Sequence, residues 1–334
     1  MDGPHAARSG HQGTAMSLAP LAHVLFTRVM KYDASRPDWA DRDRFVLSVG
    51  HASILQYAML HLAGFGLTLD DLKDFRQWGS ATPGHPEVGH TAGVEVTTGP
   101  LGQGVANAVG MAIAESQLRT RYGADLFDHH VFALAGDGCL SEGISHEAAS
   151  LAGHLGLGKL VMIYDDNHIT IDGETDLALS DDAAARFRSY GWHVLELGEV
   201  GEDLDALEAG LNEAKAVTDA PSLVIVRTII GTPATESADT HEAHGYAILD
   251  EEIAATKAAM GMPVDETFHV PSDVLETYRA AGLRGGTERE AWEQRLGAFG
   301  GDRAALEAQL SGTGMPGWDE DLPVYEAGDS VATR

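Results

Sequence analysis

Between residues 130 and 230 the chain alternates short apolar runs (130–135, 159–164, 192–197 and 222–230) with segments of helical periodicity (142–155, 181–190 and 204–217). Strand-length runs separated by helices of roughly 10 to 16 residues specify parallel strands, because parallel neighbours need a crossover that covers a face of the sheet. With the run at 44–48 as a further strand, the expectation is an α/β fold: a central parallel sheet of about five or six strands with helices on both faces. Open sheets of this kind bind ligands outside the carboxyl ends of their strands. Two of the runs end in residues suited to that place, Gly136-Asp137-Gly138 after one and Asp165-Asp166-Asn167 after the next. Asp137 and Asn167 therefore fall on one rim of the sheet. A carboxylate and an amide oxygen meeting there beside a diphosphate suit Mg²⁺ or Ca²⁺, cations that favour oxygen donors.

Elsewhere the pattern predicts helices over 17–30 with Ser17 as N-cap, from 50–51 through 62, over 68–75 with Thr68 as cap, over 105–121, and at 250–260, 272–281 and 289–310. Residues 37–43 read as a polar loop, 231–245 as another, and 78–96 as a long aperiodic segment rich in Gly, Pro, His and Thr. Loops that long inside a compact domain are usually functional. The expected division is one domain over 1–300 and a terminal helix with a linker-like tail over 301–334, where Gly, Pro, Asp and Glu replace the packing pattern.

Lys and Arg total 22 against 51 Asp and Glu, a formal charge of −29. Such a surface repels nucleic acid and anionic membranes, so neither is an expected partner, and an anionic ligand needs a local site that overcomes the field. The single cysteine, Cys139, excludes a disulfide framework and fits a reducing cytoplasm. No apolar stretch approaches the ~20 residues of a bilayer span, and the first residues lack a signal-peptide apolar core. A soluble cytoplasmic protein is expected.

Histidines are the other candidates. His11, His51, His85, His241 and His244 sit in Gly- or Pro-containing loops, and all but His241 adjoin a glycine. Imidazoles so placed contact phosphate oxygens, bond sugar hydroxyls and move protons near neutral pH; the ordinary alternative is a solvated surface histidine. Zinc held by His241 and His244 is a competing reading, without matching Cys or an HExxH helix. Gly99 to Gly104 leads into a helix N-terminus, where free N–H groups favour an anion; close helix packing through small residues explains it equally well. Glu142 and Glu147 open the helix after Gly136-Asp137-Gly138, spaced too far apart to form a carboxylate pair, and Glu142 is also an ordinary first-turn residue.

The stretches SGHQGTAMSLAP, WADRDRFVLSVGH, TPGHPEVGHTAGVEVTTGPLGQGVANAVGMAIAE, GDGCLSEGISHEAASLA, YDDNHITIDG, DDAAARFRSYGWHV and THEAHG occur in that order from Ser9 to Gly245. Together they resemble the N-terminal, diphosphate-binding half of a transketolase, a thiamine diphosphate enzyme. The resemblance implies that Asp137, Asn167 and the Ile169 carbonyl hold the divalent metal, Mg²⁺ or Ca²⁺. It places His51 and Gly138 at the diphosphate, with Asn167 and His244 also facing the cofactor. Gly99, Pro100 and Leu101 would lie against the rings. His11, His85 and His244 would surround the reacting carbon and sugar hydroxyls as catalytic residues, and Glu142 and Glu147 would lie near a subunit interface, Glu142 counted with the catalytic set.

Whole transketolases continue into a pyrimidine-binding domain and a C-terminal domain, whereas this sequence stops at Arg334. The implied function is therefore that of an N-terminal subunit of a split transketolase, transferring a two-carbon ketol unit between sugar phosphates together with a partner chain, in a dimer or heterotetramer. A truncated or degenerate copy that folds without turnover is the alternative. Only eight residues precede Ser9, and Gln12 stands where the family usually has Pro, whose fixed φ pre-forms the turn at His11.

Overall fold

A computed structural model describes residues 1–245 and 248–332. Its five strands are β1 (Arg44–Leu47), β2 (Val131–Gly136), β3 (Leu160–Asp166), β4 (His193–Gly198) and β5 (Ser222–Arg227). They form one all-parallel sheet in the order β1-β2-β3-β5-β4, the α/β architecture expected. β2 is buried throughout, and β3 and β5 are buried except for their last residues, because helices cover both faces of a central strand. β4, at an edge, exposes alternate residues near its end. The helix Gln103–Tyr122 lies against β1, β2 and β3, and Leu204–Ala216 against β3, β4 and β5.

Three local expectations are corrected. The segment 17–30 is not one helix capped by Ser17. It comprises Gln12–Ser17, Ala19–Val24 and a wider turn over Leu25–Val29. Ser17 ends the first piece, its hydroxyl donating back to the Thr14 carbonyl at 3.2 Å. Pro20, which has no N–H to bond, marks the restart instead. The segment 289–310 divides into Gly286–Gly297 and Arg303–Ser311, where Gly300-Gly301 interrupts and Asp302 accepts from the Ala305 amide at 2.9 Å. β5 ends at Arg227, three residues before its apolar run does. The cap at Thr68 is formed: its hydroxyl accepts from the Asp71 amide while the Asp71 carboxylate accepts from the Thr68 amide.

Leu306 of the last helix is buried with Tyr122, Leu126 and Phe127. Residues 312–332 form no helix or strand and are exposed; Thr333 and Arg334, the end of the expected tail, lie outside the described residues. Among the described residues no helix is long and apolar enough to cross a membrane.

Candidate active site

The carboxyl ends of the strands deliver the site residues. β1 runs into the turn Gly50–Ala52, which carries His51. β2 ends at Gly136, and Asp137 opens the one-turn helix Asp137–Ser141, an element the sequence pattern did not announce. β3 carries Asp165 and Asp166 within the strand and releases Asn167 just beyond it. The loop after β5 returns His244 in the short helix Glu242–Gly245. His11 is the N-cap of Gln12–Ser17, so a helix starts at Gln12 without the proline.

Three of the expected histidines meet. The ring centroids of His11 and His51 are 4.9 Å apart, those of His51 and His244 5.2 Å, and those of His11 and His244 5.5 Å. Gly13 permits this: a Cβ there would stand 2.1 Å from the Ala243 carbonyl oxygen, so only glycine lets the two loops touch. His85 packs against Gly99, whose added Cβ would lie 3.2 Å from its ring, and Gly138 touches Leu101, where a Cβ would come within 2.7 Å. The Gly99–Leu101 turn thus joins the histidine group to the metal-type ligands. Glu142 and Glu147 are exposed; Glu142 caps Gly143–Leu155 with its stem against Gly102.

The electrostatics of this group are those of neutral imidazoles. Burial, then His244, Arg76 and His85, draw His11 down to about 4. Burial followed by His11 and His244 holds His51 well below the ordinary value, and burial also lowers His85 and His244. Two ring nitrogens, His11 Nδ1 and His244 Nδ1, and the Thr98 hydroxyl are buried without hydrogen-bond partners. Each such gap costs about 1–3 kcal/mol, and a polar ligand seated among them would close it.

Beside them, Asp137 is 7% exposed, and its carboxyl is pushed up to about 6, first by burial and then by Asp166. The Tyr164 hydroxyl donates to both Asp137 and Asp166. Asn167 is fixed by two bonds: its Nδ2 donates to Asp165 at 2.9 Å, and its Oδ1 accepts from the Ile169 amide at 2.9 Å. Asp165, fully buried and pushed up to about 7 by burial, also accepts from the Thr228 hydroxyl. A cavity of about 150 Å³ opens beside Asp137, Tyr164, Asp166 and His168. Asp137, its carboxyl raised by burial and by Asp166, is the carboxylate that faces this cavity, while Asp165 is taken up by Asn167 and Thr228. Among the described residues no group of three or more His, Cys, Asp or Glu forms a metal cage, so a cation here would rest on one carboxylate, one amide oxygen and a carbonyl.

The sequence reading missed Tyr164, Asp165, Thr228 and Arg76. Tyr164 passed as one more apolar strand residue, and Arg76, whose guanidinium donates to Ser9 and Gly84 and faces the histidines, carries no motif. Asp165 had a signal, since a carboxylate inside an apolar strand needs a buried partner.

Residues 1–314 match the family described as transketolase, thiamine diphosphate binding domain. The chain belongs to the transketolase family. It is 48% identical to the transketolase of Nostoc sp., over 98% of this chain and 50% of that protein. A transketolase from Leishmania mexicana superposes with a TM-score of 0.93 at 45% identity, over 97% of this chain and 49% of that one. One from Pichia stipitis, in complex with sedoheptulose 7-phosphate, gives 0.92 at 43% identity, over 98% and 49%. The chain spans about half the length of the transketolases it matches.

Proposed function

We propose that this chain is the diphosphate-binding part of a thiamine diphosphate-dependent transketolase that works with a partner chain carrying the pyrimidine-binding and C-terminal domains. Together they would move a two-carbon ketol unit from a ketose phosphate to an aldose phosphate, a reaction of the pentose phosphate pathway, as a dimer or heterotetramer in the cytoplasm. The observation that carries this reading is the cluster of neutral histidines with unpartnered ring nitrogens, set beside buried carboxylates at one rim of the sheet.

Asp137, Asn167 and the Ile169 carbonyl would hold Mg²⁺ (or Ca²⁺), which lets an acidic protein accept a diphosphate. His51 and Gly138 would face that diphosphate, and the Gly99-Pro100-Leu101 turn would pack beside the rings. When bound, thiamine diphosphate supplies a carbon nucleophile and an electron sink. Burial draws His11, His85 and His244 below the ordinary imidazole value, which favours the neutral ring, able to take a proton from a sugar hydroxyl or to bond it. Glu142, exposed beside the Gly102 turn, would act at the boundary with the partner. Sugar phosphates as substrates are supported by the sedoheptulose 7-phosphate bound to the Pichia stipitis transketolase.

The test is reconstitution. Ketol transfer between sugar phosphates, followed by a coupled assay, should appear only when this chain is mixed with one bearing the two remaining domains, thiamine diphosphate and Mg²⁺. Robust transfer by this chain alone, or a stable mixed complex without transfer, overturns the proposal.

A further inference from the structure

At the amino ends of the strands, away from the histidines, a cavity of about 340 Å³ opens between the segment before β1, the helix Gln103–Tyr122 and the last two helices. Arg36, Arg42 and Arg44 line it with the carboxylates Asp38 and Glu293 and with Trp39 and Trp292. Three guanidiniums in one hollow stand out in a chain of formal charge −29.

Arg42 and Arg44 share one carboxylate in contact. Arg42 forks onto Glu95, Nε to Oε1 at 3.0 Å and Nη2 to Oε2 at 2.7 Å. Arg44 reaches Glu95 only at 3.8 Å and otherwise donates to the carbonyls of Arg42 and Ala40. The next carboxylates are committed elsewhere. Asp41 serves Lys31, His129 and the Asp128 amide, and Asp43 serves the Lys31 and His130 amides. The Arg44 side chain is 16% exposed, and the carboxylate in contact with it, Glu95, lies 3.8 Å away and is already forked by Arg42. This largely buried cation is only partly compensated, and an anion would complete it. Burial, then Arg42, accordingly draws Arg44 down to about 10. Trp39 leaves a second gap: it is 3% exposed, and its indole N–H has no hydrogen-bond partner. At the mouth, Arg36 is half exposed and meets Asp38 and Glu293 at 3.3 Å each. Such surface pairs are worth about 0–1 kcal/mol and yield to a stronger ligand.

We propose that this cavity binds a small phosphate-bearing anion, separately from the candidate active site. Guanidinium forks match phosphate oxygens two at a time, which single-point ammonium groups do not. The volume lies within the range of small-ligand pockets, roughly 300–1,000 Å³, and admits free phosphate or a monosaccharide phosphate, which share this chemistry.

The test is calorimetric titration of the full chain, without Mg²⁺ or thiamine diphosphate, using inorganic phosphate, glucose 6-phosphate and, at matched ionic strength, chloride. Saturable submillimolar binding of either phosphate but not of chloride is expected. Arg36→Ala and Arg44→Gln should each weaken it about tenfold, and His244→Ala should leave it unchanged. Tighter binding of glucose 6-phosphate assigns the site to a sugar phosphate; equal affinity assigns it to the phosphate group alone. No saturable binding, binding that survives both arginine substitutions, or binding lost in His244→Ala overturns the proposal. Should Arg44→Gln fail to fold, as judged by circular dichroism, the surface change Arg36→Ala decides.

Discussion

The carboxyl edge of the sheet and the aspartates of its amino edge treat buried polar groups in opposite ways. At the carboxyl edge, His11, His244 and Thr98 keep polar atoms without partners, and Asp137 and Asp165 hold raised pKa values. At the amino edge, Asp41 and Asp43 spend every oxygen: on Lys31 Nζ, the Lys31, Asp128 and His130 amides, and the His129 ring. One edge leaves bonds open for a ligand and loses stability by it. The aspartate pair closes its own bonds and ties β1 to β2, while Trp39, Glu115 and His130 leave polar atoms open nearby.

Substitutions at each edge should therefore fail differently. The largest effect is expected for Asp137→Ala, which should abolish Mg²⁺-dependent thiamine diphosphate binding in the assembled complex. The loss should exceed the roughly 10–100-fold typical of supporting residues; unchanged calorimetric affinity would remove Asp137 from the ligand set. Next comes Asp41→Ala, which leaves Lys31 only Glu288 at 4.0 Å and also removes the acceptor of the Asp128 amide and the His129 ring. It should cost about 3–5 kcal/mol in denaturant unfolding, with cofactor affinity per folded molecule preserved. A loss of affinity alongside stability would show that the edges are coupled. His244→Ala should lower turnover roughly 100-fold while changing cofactor affinity less; equal turnover would exclude His244 from catalysis.

The smallest effects are on pH dependence, with opposite signs. Between pH 6.5 and about 4 the unfolded chain takes up a proton that folded His11 refuses, so stability falls as pH drops through that window. His11→Asn should flatten this slope by about 1–2 kcal/mol in thermal melts across the window. Glu115 lies toward the amino edge, 1% exposed, with Arg119 Nε at 3.3 Å but no hydrogen bond to either oxygen. Burial pushes it up to about 7. The folded chain holds that proton where the unfolded one has released it, so stability declines as pH rises from 4.5 through about 7. Glu115→Gln should gain about 1 kcal/mol at pH 8 relative to pH 5, and a uniform shift at both would assign Glu115 to packing alone.

Much of the carboxyl edge was legible in the sequence, because parallel strands are apolar along their whole length and the first polar residues after them must lie on one rim. Asp137 and Asn167 followed from that rule, whereas the loop histidines stood out by their neighbouring glycines and by the family resemblance. The amino edge was hidden, since residues 37–43, Asp41 and Asp43 among them, read only as a polar loop before the strand at Arg44. Only the parallel register, Arg44 beside Val131, sets Asp43 against the His130 amide. The break near Ser17 was equally obscure: apolar spacing continues through it, and Pro20 fits either the interior reading or a fresh start. Tyr164 escaped because aromatic side chains are at home in strands, and its hydroxyl matters only once Asp137 is brought opposite.

The pairing of Arg44 with Val131 spans the longest stretch of chain of any strand pairing in the sheet. Closing long loops is entropically slow, so β1 is expected to join a sheet nucleated by the shorter crossovers between β2 and β3 and between β4 and β5. His51 follows β1 directly. The histidine cluster is then among the last features to form during folding, and any chain caught before that step would be compact, sheet-bearing and blind to its cofactor.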